Sequence, residues 1–427
     1  MSHPAPDGTA LGDPTVGDDD EALQALRRDL KILSRTIDGE RLVYLDSAAS
    51  SLTPGRVLDA ILSYYETCRA NVHRGKHQLS EEASTRFDEA RRKVAAFINT
   101  EPAATIFTAG ATASINLVAL GLRLRPDDVV VTTGAEHHAV LLPFMGRCAL
   151  RVLDVGLDGA VDAERLLALV DAKTRLVALA HASNVTGAVQ DVATISALIK
   201  QKAPRARVLV DAAQSIAHTP VDVERLGADY LVFSSHKMLG PTGIGVLAGR
   251  RDALEELSAE LRGGGAVRLV EKTRFELRPL PLKLEPGTPD IAGAIGLGAA
   301  VDLLTEIGMT RIAAHGRMIA ARLFEGVREL PGTTLLGPQS GERLPLVSLA
   351  FRSSAVSTDH VAMILSDTHH VMVRSGHHCC HPFFDSLQLD GAPLHGALRA
   401  SAGPYTTVAD VDTFLQALRG VLATLLG

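Results

Sequence analysis

Four cysteines in 427 residues, two of them adjacent at Cys379 and Cys380, do not make a disulfide framework, which points to a reducing compartment such as the cytoplasm. Basic charge is not in excess either. Lys and Arg number 43 against 49 Asp and Glu, a net charge of −6, so nucleic acid is not an indicated partner. No apolar run approaches the length of a membrane span. The first twenty residues are rich in Gly, Pro and Asp and close on Asp18-Asp19-Asp20. They lack the basic start and apolar core of a signal peptide and read as a disordered tail over 1–20. Repeats and low-complexity linkers are missing as well. What is present, 46% hydrophobic and 22% charged, suffices for one large core and a smaller one, hence a soluble two-domain globule.

Apolar strand-like and helix-like segments alternate through the middle of the chain. Thr105-Phe107, Val129-Thr132, Leu176-Ala180, Val208-Val210 and Tyr230-Phe233 are predicted strands separated by helical stretches. That pattern predicts an α/β domain with a mostly parallel sheet between two layers of helices. Before it, Glu21 to Ile37, Val57 to Tyr65 and Ala83 to Ile98 have helical spacing, and Tyr44-Leu45 is a short strand running into the polar turn Asp46-Ser47-Ala48-Ala49. Gly287-Thr288-Pro289 opens a helix through Ala292 to Leu304. From about Leu323 a second pattern begins, with strands at Leu346–Phe351 and Leu398–Ser401 and helices at Thr358–Ser366 and Val411–Leu426. The predicted division is a large domain over 21–310 and a smaller α+β domain over 311–427, which the N-terminal segment joins.

Polar residues collect where the strands end, the edge at which open α/β sheets bind ligands, so Thr112, His137, Asn184, Asp211, Gln214 and Lys237 are expected in one crevice. Lys237 closes Phe233-Ser234-Ser235-His236-Lys237, a buried strand delivering an amine. Burial and neighbouring cations lower an ammonium's pKa, and the free amine forms a Schiff base with a carbonyl compound such as pyridoxal phosphate (PLP). Taken alone, a lysine after a strand is more often a surface residue. Asp211 ends Val208-Leu209-Val210-Asp211 and would be costly there unpaired; it suits a protonated pyridine nitrogen, or it caps the next segment. Thr108 to Ser114 is small and polar at a strand-to-helix turn, where backbone donors and the helix dipole favour a phosphate. His137, in Glu136-His137-His138, has the chemistry to stack on a ring or move a proton.

Arg374-Ser375-Gly376-His377-His378-Cys379-Cys380-His381-Pro382 is the second cluster. Contiguous His and Cys side chains point in different directions, whereas metal ligands are usually spaced by two to four residues, so no metal is assigned. A cysteine beside histidines and an arginine is placed to ionise, and a thiolate is the competent nucleophile. Position alone does not choose between Cys379 and Cys380.

Together, Asn71-Val72-His73-Arg74-Gly75, Glu136-His137-His138, Ser183-Asn184, Val208-Leu209-Val210-Asp211-Ala212-Ala213-Gln214, Ser234-Ser235-His236-Lys237, Gly240-Pro241-Thr242-Gly243-Ile244-Gly245, Gly287-Thr288-Pro289 and Arg374-Ser375-Gly376-His377-His378-Cys379 resemble the class V aminotransferase superfamily, specifically its SUF-type cysteine desulfurases and selenocysteine lyases. The resemblance covers nearly everything after the tail. It implies PLP fold type I, with Lys237 holding PLP, His137 stacked on its ring and Asp211 on the pyridine nitrogen. Gln214 and Asn184 would lie near the phenolic oxygen and substrate. Thr112, Ser234 and His236 would bind phosphate, with Thr288 supplied by the other subunit of a homodimer. Arg399, in Leu398-Arg399-Ala400-Ser401, would clamp the substrate carboxylate, which a bidentate guanidinium suits; His73, Arg74 and Arg374 join it as substrate contacts.

The resemblance also selects Cys379, since the family's catalytic cysteine follows the His-His pair directly. The implied reaction converts L-cysteine to L-alanine: Lys237 removes the Cα proton, the Cys379 thiolate attacks the substrate sulfur, and a persulfide stays for an acceptor protein such as those of iron–sulfur cluster assembly. Selenocysteine is an alternative substrate. Two departures stand out. Ala111 and Ala113 replace more polar residues, and Phe383 to His395, with a turn marked by Asp390-Gly391, is several residues longer than the family's segment. A longer lid near the substrate suits a larger thioether, so a carbon–sulfur lyase of specialised metabolism is the second reading and a transaminase the third. A binding protein without chemistry would have no use for the anchor Lys237 and the ring partner Asp211.

Overall fold

The computed structural model describes residues 20–353, 356–389 and 391–426. Positions 1–19 of the expected tail lie outside them. Asp20 does not, and it is ordered: its side chain accepts from the amides of Ala22 and Leu23 and caps the helix Glu21–Asp29. The helical spacing expected to Ile37 stops there. Thr36–Ile37 pairs instead with Glu40–Arg41 around Asp38 and Gly39, both at positive φ (52° and 85°), the two-residue Asp-Gly hairpin turn.

Seven strands form the central sheet, in the order Thr105–Thr108, Gly245–Gly249, Tyr230–Ser234, Arg207–Asp211, Thr174–Ala180, Val129–Thr133, Ala149–Leu153. The last five run parallel, as the apolar runs predict, and Gly245–Gly249 is antiparallel to both its neighbours. Two of these strands are absent from the sequence reading. Gly245–Gly249 follows a turn signal and begins and ends in glycine. The first glycine is required by packing, because a Cβ at Gly245 would fall 2.5 Å from the Cα of Gly110. Ala149–Leu153 is an edge strand whose residues are mostly part-exposed, so its apolar signal is weak.

The helices Gln78–Phe97 and Ile291–Ile307 pack against each other and onto one face of the sheet. Among the described residues no single helix is long and apolar enough to cross a membrane. Gly308, at φ 92°, turns the chain by 77° into Met309–Val327, a helix that begins earlier than the change of pattern near Leu323 suggests. A second core then forms around the antiparallel sheet of Thr333–Leu336, Leu346–Phe351 and Leu398–Ser401, covered by Thr358–His369 and Val408–Leu426. The N-terminal segment joins this core: Val43–Tyr44 pairs in parallel with Val371–Met372, and Arg27 and Arg41 both engage the buried carboxylate of Asp410.

Candidate active site

Strand ends and three loops enclose a cavity of about 220 Å³. Asp211 is the last residue of its strand, and Lys237 lies in the single helical turn that follows Tyr230–Ser234. Neighbouring pairing (Asp211 opposite Val232) sets both on one side of the sheet's carboxyl edge. Both line the cavity. Burial pulls the Lys237 ammonium below the ordinary lysine value while Asp211 opposes the shift; burial pushes the Asp211 carboxyl up while Lys237 opposes it. Asp211 Oδ1 accepts from the amide of Ala213 at 2.9 Å. Lys237 Nζ has no hydrogen-bond partner among the described residues.

His137 caps the short helix His138–Leu141. Its Nδ1 accepts from the amide of Ala139 at 3.1 Å, which places the ring's proton on Nε2. Burial, then Lys237, lowers its pKa to about 4, so at neutral pH the ring is uncharged and suited to stacking. Beside it, Glu136 is buried between Thr133 Oγ1 and the amide of Ala180, and burial raises its pKa to about 8.

At the opposite end of the cavity the helix Ala111–Gly121 presents its N-terminus. Ser234 Oγ accepts from the Ala111 amide at 2.8 Å, and Thr112 is exposed in the first turn. His236 Nδ1 meets Ser50 Oγ at 3.3 Å. Gln214 Nε2 donates to the Ala48 carbonyl at 2.9 Å. Thr112, Ser234, His236 and Gln214 all line the cavity.

The cysteine loop closes the third side. His378 and Cys379 both adopt left-handed backbone (φ 50° and 59°), an uncommon state for non-glycine residues. Three bonds hold it: the Cys380 amide to His377 O, the His138 amide to Cys379 O, and Asn184 Nδ2 to His378 O, each at 2.8 Å. The bend separates the two thiols. Cys379 is exposed and lines the cavity, whereas Cys380 is fully buried among Phe383, Phe384 and Leu387, with its Sγ 3.3 Å from Asn184 Oδ1. Burial drives the Cys380 thiol far above the usual range, leaving it inert as a nucleophile at neutral pH. The segment after it folds as the helix His381–Asp385 and the hairpin Gln388–Leu389 with Ala392–Pro393; Asp390 lies outside the described residues.

Arg399 reaches the cavity from the second core. Its Nη1 donates to the Asn184 carbonyl at 2.9 Å and its Nη2 to Asp46 Oδ1 at 3.0 Å, while its buried Nε has no partner. Arg374 lies on the adjacent backbone, paired to Arg399, and also faces the cavity. Two expected residues, His73 and Arg74, lie elsewhere, and Thr288, expected from the other subunit of a homodimer, does not line this chain's own cavity. His73 pairs with Asp88 and, with Arg74, lines a separate small cavity beside Gly265 and Gly287; Thr288 is exposed beyond it. The reason is connectivity: His73 and Arg74 lead into the helix Gln78–Phe97, which packs away from the strand ends. Asp46 and His378 were not singled out from sequence. For Asp46 the available signal was a carboxylate at a strand end, the same one that marked Asp211.

The family model for class V aminotransferases matches residues 43–414. The chain is 39% identical over 408 residues to a probable cysteine desulfurase of Synechocystis sp., covering 93% of this chain and 95% of that one. A cysteine desulfurase of Haloferax volcanii is 38% identical, covering 93% and 96%. Among solved structures, the apo cysteine desulfurase of Thermococcus onnurineus superposes with a TM-score of 0.87 at 36% identity, covering 94% of this chain and 98% of that one.

Proposed function

The chain belongs to the class V aminotransferase family, and from that premise we propose that it is a PLP-dependent cysteine desulfurase, converting L-cysteine to L-alanine and holding the sulfur as a persulfide on Cys379. One observation carries the reading: an unpartnered amine, a buried carboxylate and an exposed thiol line the same cavity. The donor set fits pyridoxal phosphate. Lys237 is an amine held toward its neutral form, Asp211 is a buried carboxylate short of a cationic partner, His137 is a neutral ring, and the first turn of Ala111–Gly121 with Thr112, Ser234 and His236 suits a phosphate.

When bound, PLP supplies an aldehyde carbon for the amine and a ring that draws off electron density from Cα. The protein does the rest. Lys237, lowered in pKa by burial, is the base for the Cα proton. Asp211 would hold a proton on the ring nitrogen, and the Arg399 guanidinium, which lines the cavity, would hold the substrate carboxylate. Cys379 Sγ, as thiolate, attacks the substrate sulfur; the carbon–sulfur bond breaks toward carbon, and alanine leaves once that carbon is protonated. Substrate sulfur remains bonded to Cys379 for a thiol acceptor. Selenocysteine fits the same electron flow, with selenium in place of sulfur. A homodimer would bring the partner subunit's Thr288 to the phosphate.

Loaded protein given L-cysteine and a thiol reductant is expected to release alanine and sulfide in equal amounts with little pyruvate. Pyruvate and ammonia as the main products would replace this reading with the carbon–sulfur lyase, which needs no thiolate.

Asp211 makes a separate expectation. Asp211→Asn removes the charge that keeps the ring nitrogen protonated. Exchange of the Cα proton of L-alanine with deuterated solvent should slow about a hundredfold, in line with the loss of one preorganised electrostatic partner. PLP content should fall less. Exchange at the unaltered rate would remove Asp211 from the ring nitrogen.

A further inference from the structure

We propose that Asp46 is the positioning residue for the substrate-carboxylate site: it fixes the plane of the Arg399 guanidinium, which lines the cavity and has N–H donors to spare. The inference rests on the reading of Arg399 as the carboxylate contact and goes beyond it.

Arg399 is 2% exposed, and burial alone favours its neutral form; Asp46 is the first-ranked influence opposing that shift. Two of its five N–H donors are taken, one on each terminal nitrogen. Nη1 is held by the Asn184 carbonyl and Nη2 by Asp46, and the two contacts together fix the plane of the group. Nε is buried without a partner among the described residues. An incoming carboxylate has the free N–H donors of the terminal nitrogens on this cavity-lining group to bind. Without Asp46 the guanidinium keeps one anchor and is free to turn about it.

Asp46 is itself rigidly mounted. It bridges in parallel to Ser401, with the Ser47 amide donating to Ser401 O and the Ser401 amide to Leu45 O. Its own carbonyl accepts from the amides of Ala49 and Ser50, closing the turn. The same turn gives Ala48 O to Gln214, and Ser51, just beyond it, donates from its amide and its hydroxyl to His236 O, next to Lys237. So the group that orients Arg399 is tied both to the strand carrying Arg399 and to the loop carrying Lys237. A merely structural ion pair has no need of that alignment.

The test uses PLP-loaded enzyme and compares two ligands that differ by one group. L-Alanine carries the carboxylate; ethylamine is the same amine without it. Affinity is read from the change in cofactor absorbance on titration. In Asp46→Asn, KM for L-cysteine and the dissociation constant for L-alanine should each rise about tenfold, the range for a hydrogen bond to a charged group. The value for ethylamine should not change, kcat should stay within about twofold, and Asp46→Glu should recover part of the loss. A melting temperature on each variant shows whether it folds. Equal loss for both ligands, or a lower melting temperature with both affinities intact, overturns the inference by making Asp46 structural. A lower KM in Asp46→Asn overturns it too, because Asp46 would then be competing with substrate. Arg399→Ala separates the levels: if it leaves L-alanine binding intact, the reading of Arg399 falls; if it weakens L-alanine alone while Asp46→Asn does nothing, only the positioning role falls.

Discussion

Lys237→Ala is expected to remove the lysine-linked absorbance of PLP-loaded protein and to lower alanine release about 10⁴-fold, the upper end of what a positioned proton-transfer group contributes. Both losses have one cause. The amine is the covalent anchor in the proposed site and also its base, and no other lysine lines the cavity. Its neighbourhood explains why it serves: burial lowers its pKa, and no hydrogen bond among the described residues holds the proton in place. Asp211 and the phosphate end of the site remain in the variant, so the cofactor should still bind noncovalently and be released by gel filtration. Lysine-linked absorbance that survives the substitution would take Lys237 out of the site. A variant that folds poorly would instead show a lowered melting temperature, which the retained apolar strand Tyr230–Ser234 argues against.

The second large effect separates two neighbours in the chain. Cys379→Ala should release alanine on the order of a thousandfold more slowly than the parent, a loss of about 4 kcal/mol in transition-state stabilisation, and should carry no persulfide by mass. Cys380→Ala should keep most of its activity. The left-handed pair His378 and Cys379 sends the first thiol to the cavity and the second into an apolar cluster where ionisation is suppressed. What Cys380→Ala loses is packing, and the expected cost is stability rather than turnover. Full activity in Cys379→Ala with pyruvate as product would favour the lyase. A dead Cys380→Ala with a normal melting temperature would move the nucleophile by one residue.

The lysine, the aspartate and the cysteine loop were legible because each sits where sequence pattern changes sharply: a buried apolar strand ends, or histidines and cysteines crowd together. Four of the five parallel strands were legible for the same reason; Ala149–Leu153, part-exposed at the sheet edge, was not. Gly245–Gly249 was not, because a strand pressed against the backbone of Gly110 has to be built from small residues and so resembles a turn. His73 and Arg74 form a polar cluster as conspicuous as any other in the sequence. Yet local pattern does not say which side of a helix's start faces the sheet edge, and in this chain they turn to Asp88 and Gly265. Asp46 was hidden by distance. Its partner is 353 positions away, and nothing local to Leu45-Asp46-Ser47 signals an arginine at that separation.

That separation has a consequence for how the protein is made. The segment from Val43 to Ser51 takes its partners from Met372, Ser401 and His236, and Arg27 takes Asp410. Ribosomes add about 5 to 20 residues per second, so Asp46 is synthesised roughly 20 to 70 s before Arg399. Only once Gly249 has been added, 150 positions before Arg399, does the large sheet have all its strands, and the end of the site that Arg399 lines still does not exist. On the proposed reading, the nascent chain can therefore assemble the Lys237 and Asp211 side of the site before the substrate-carboxylate side, which waits for the last strand, Leu398–Ser401, to come in beside Leu45 and Asp46.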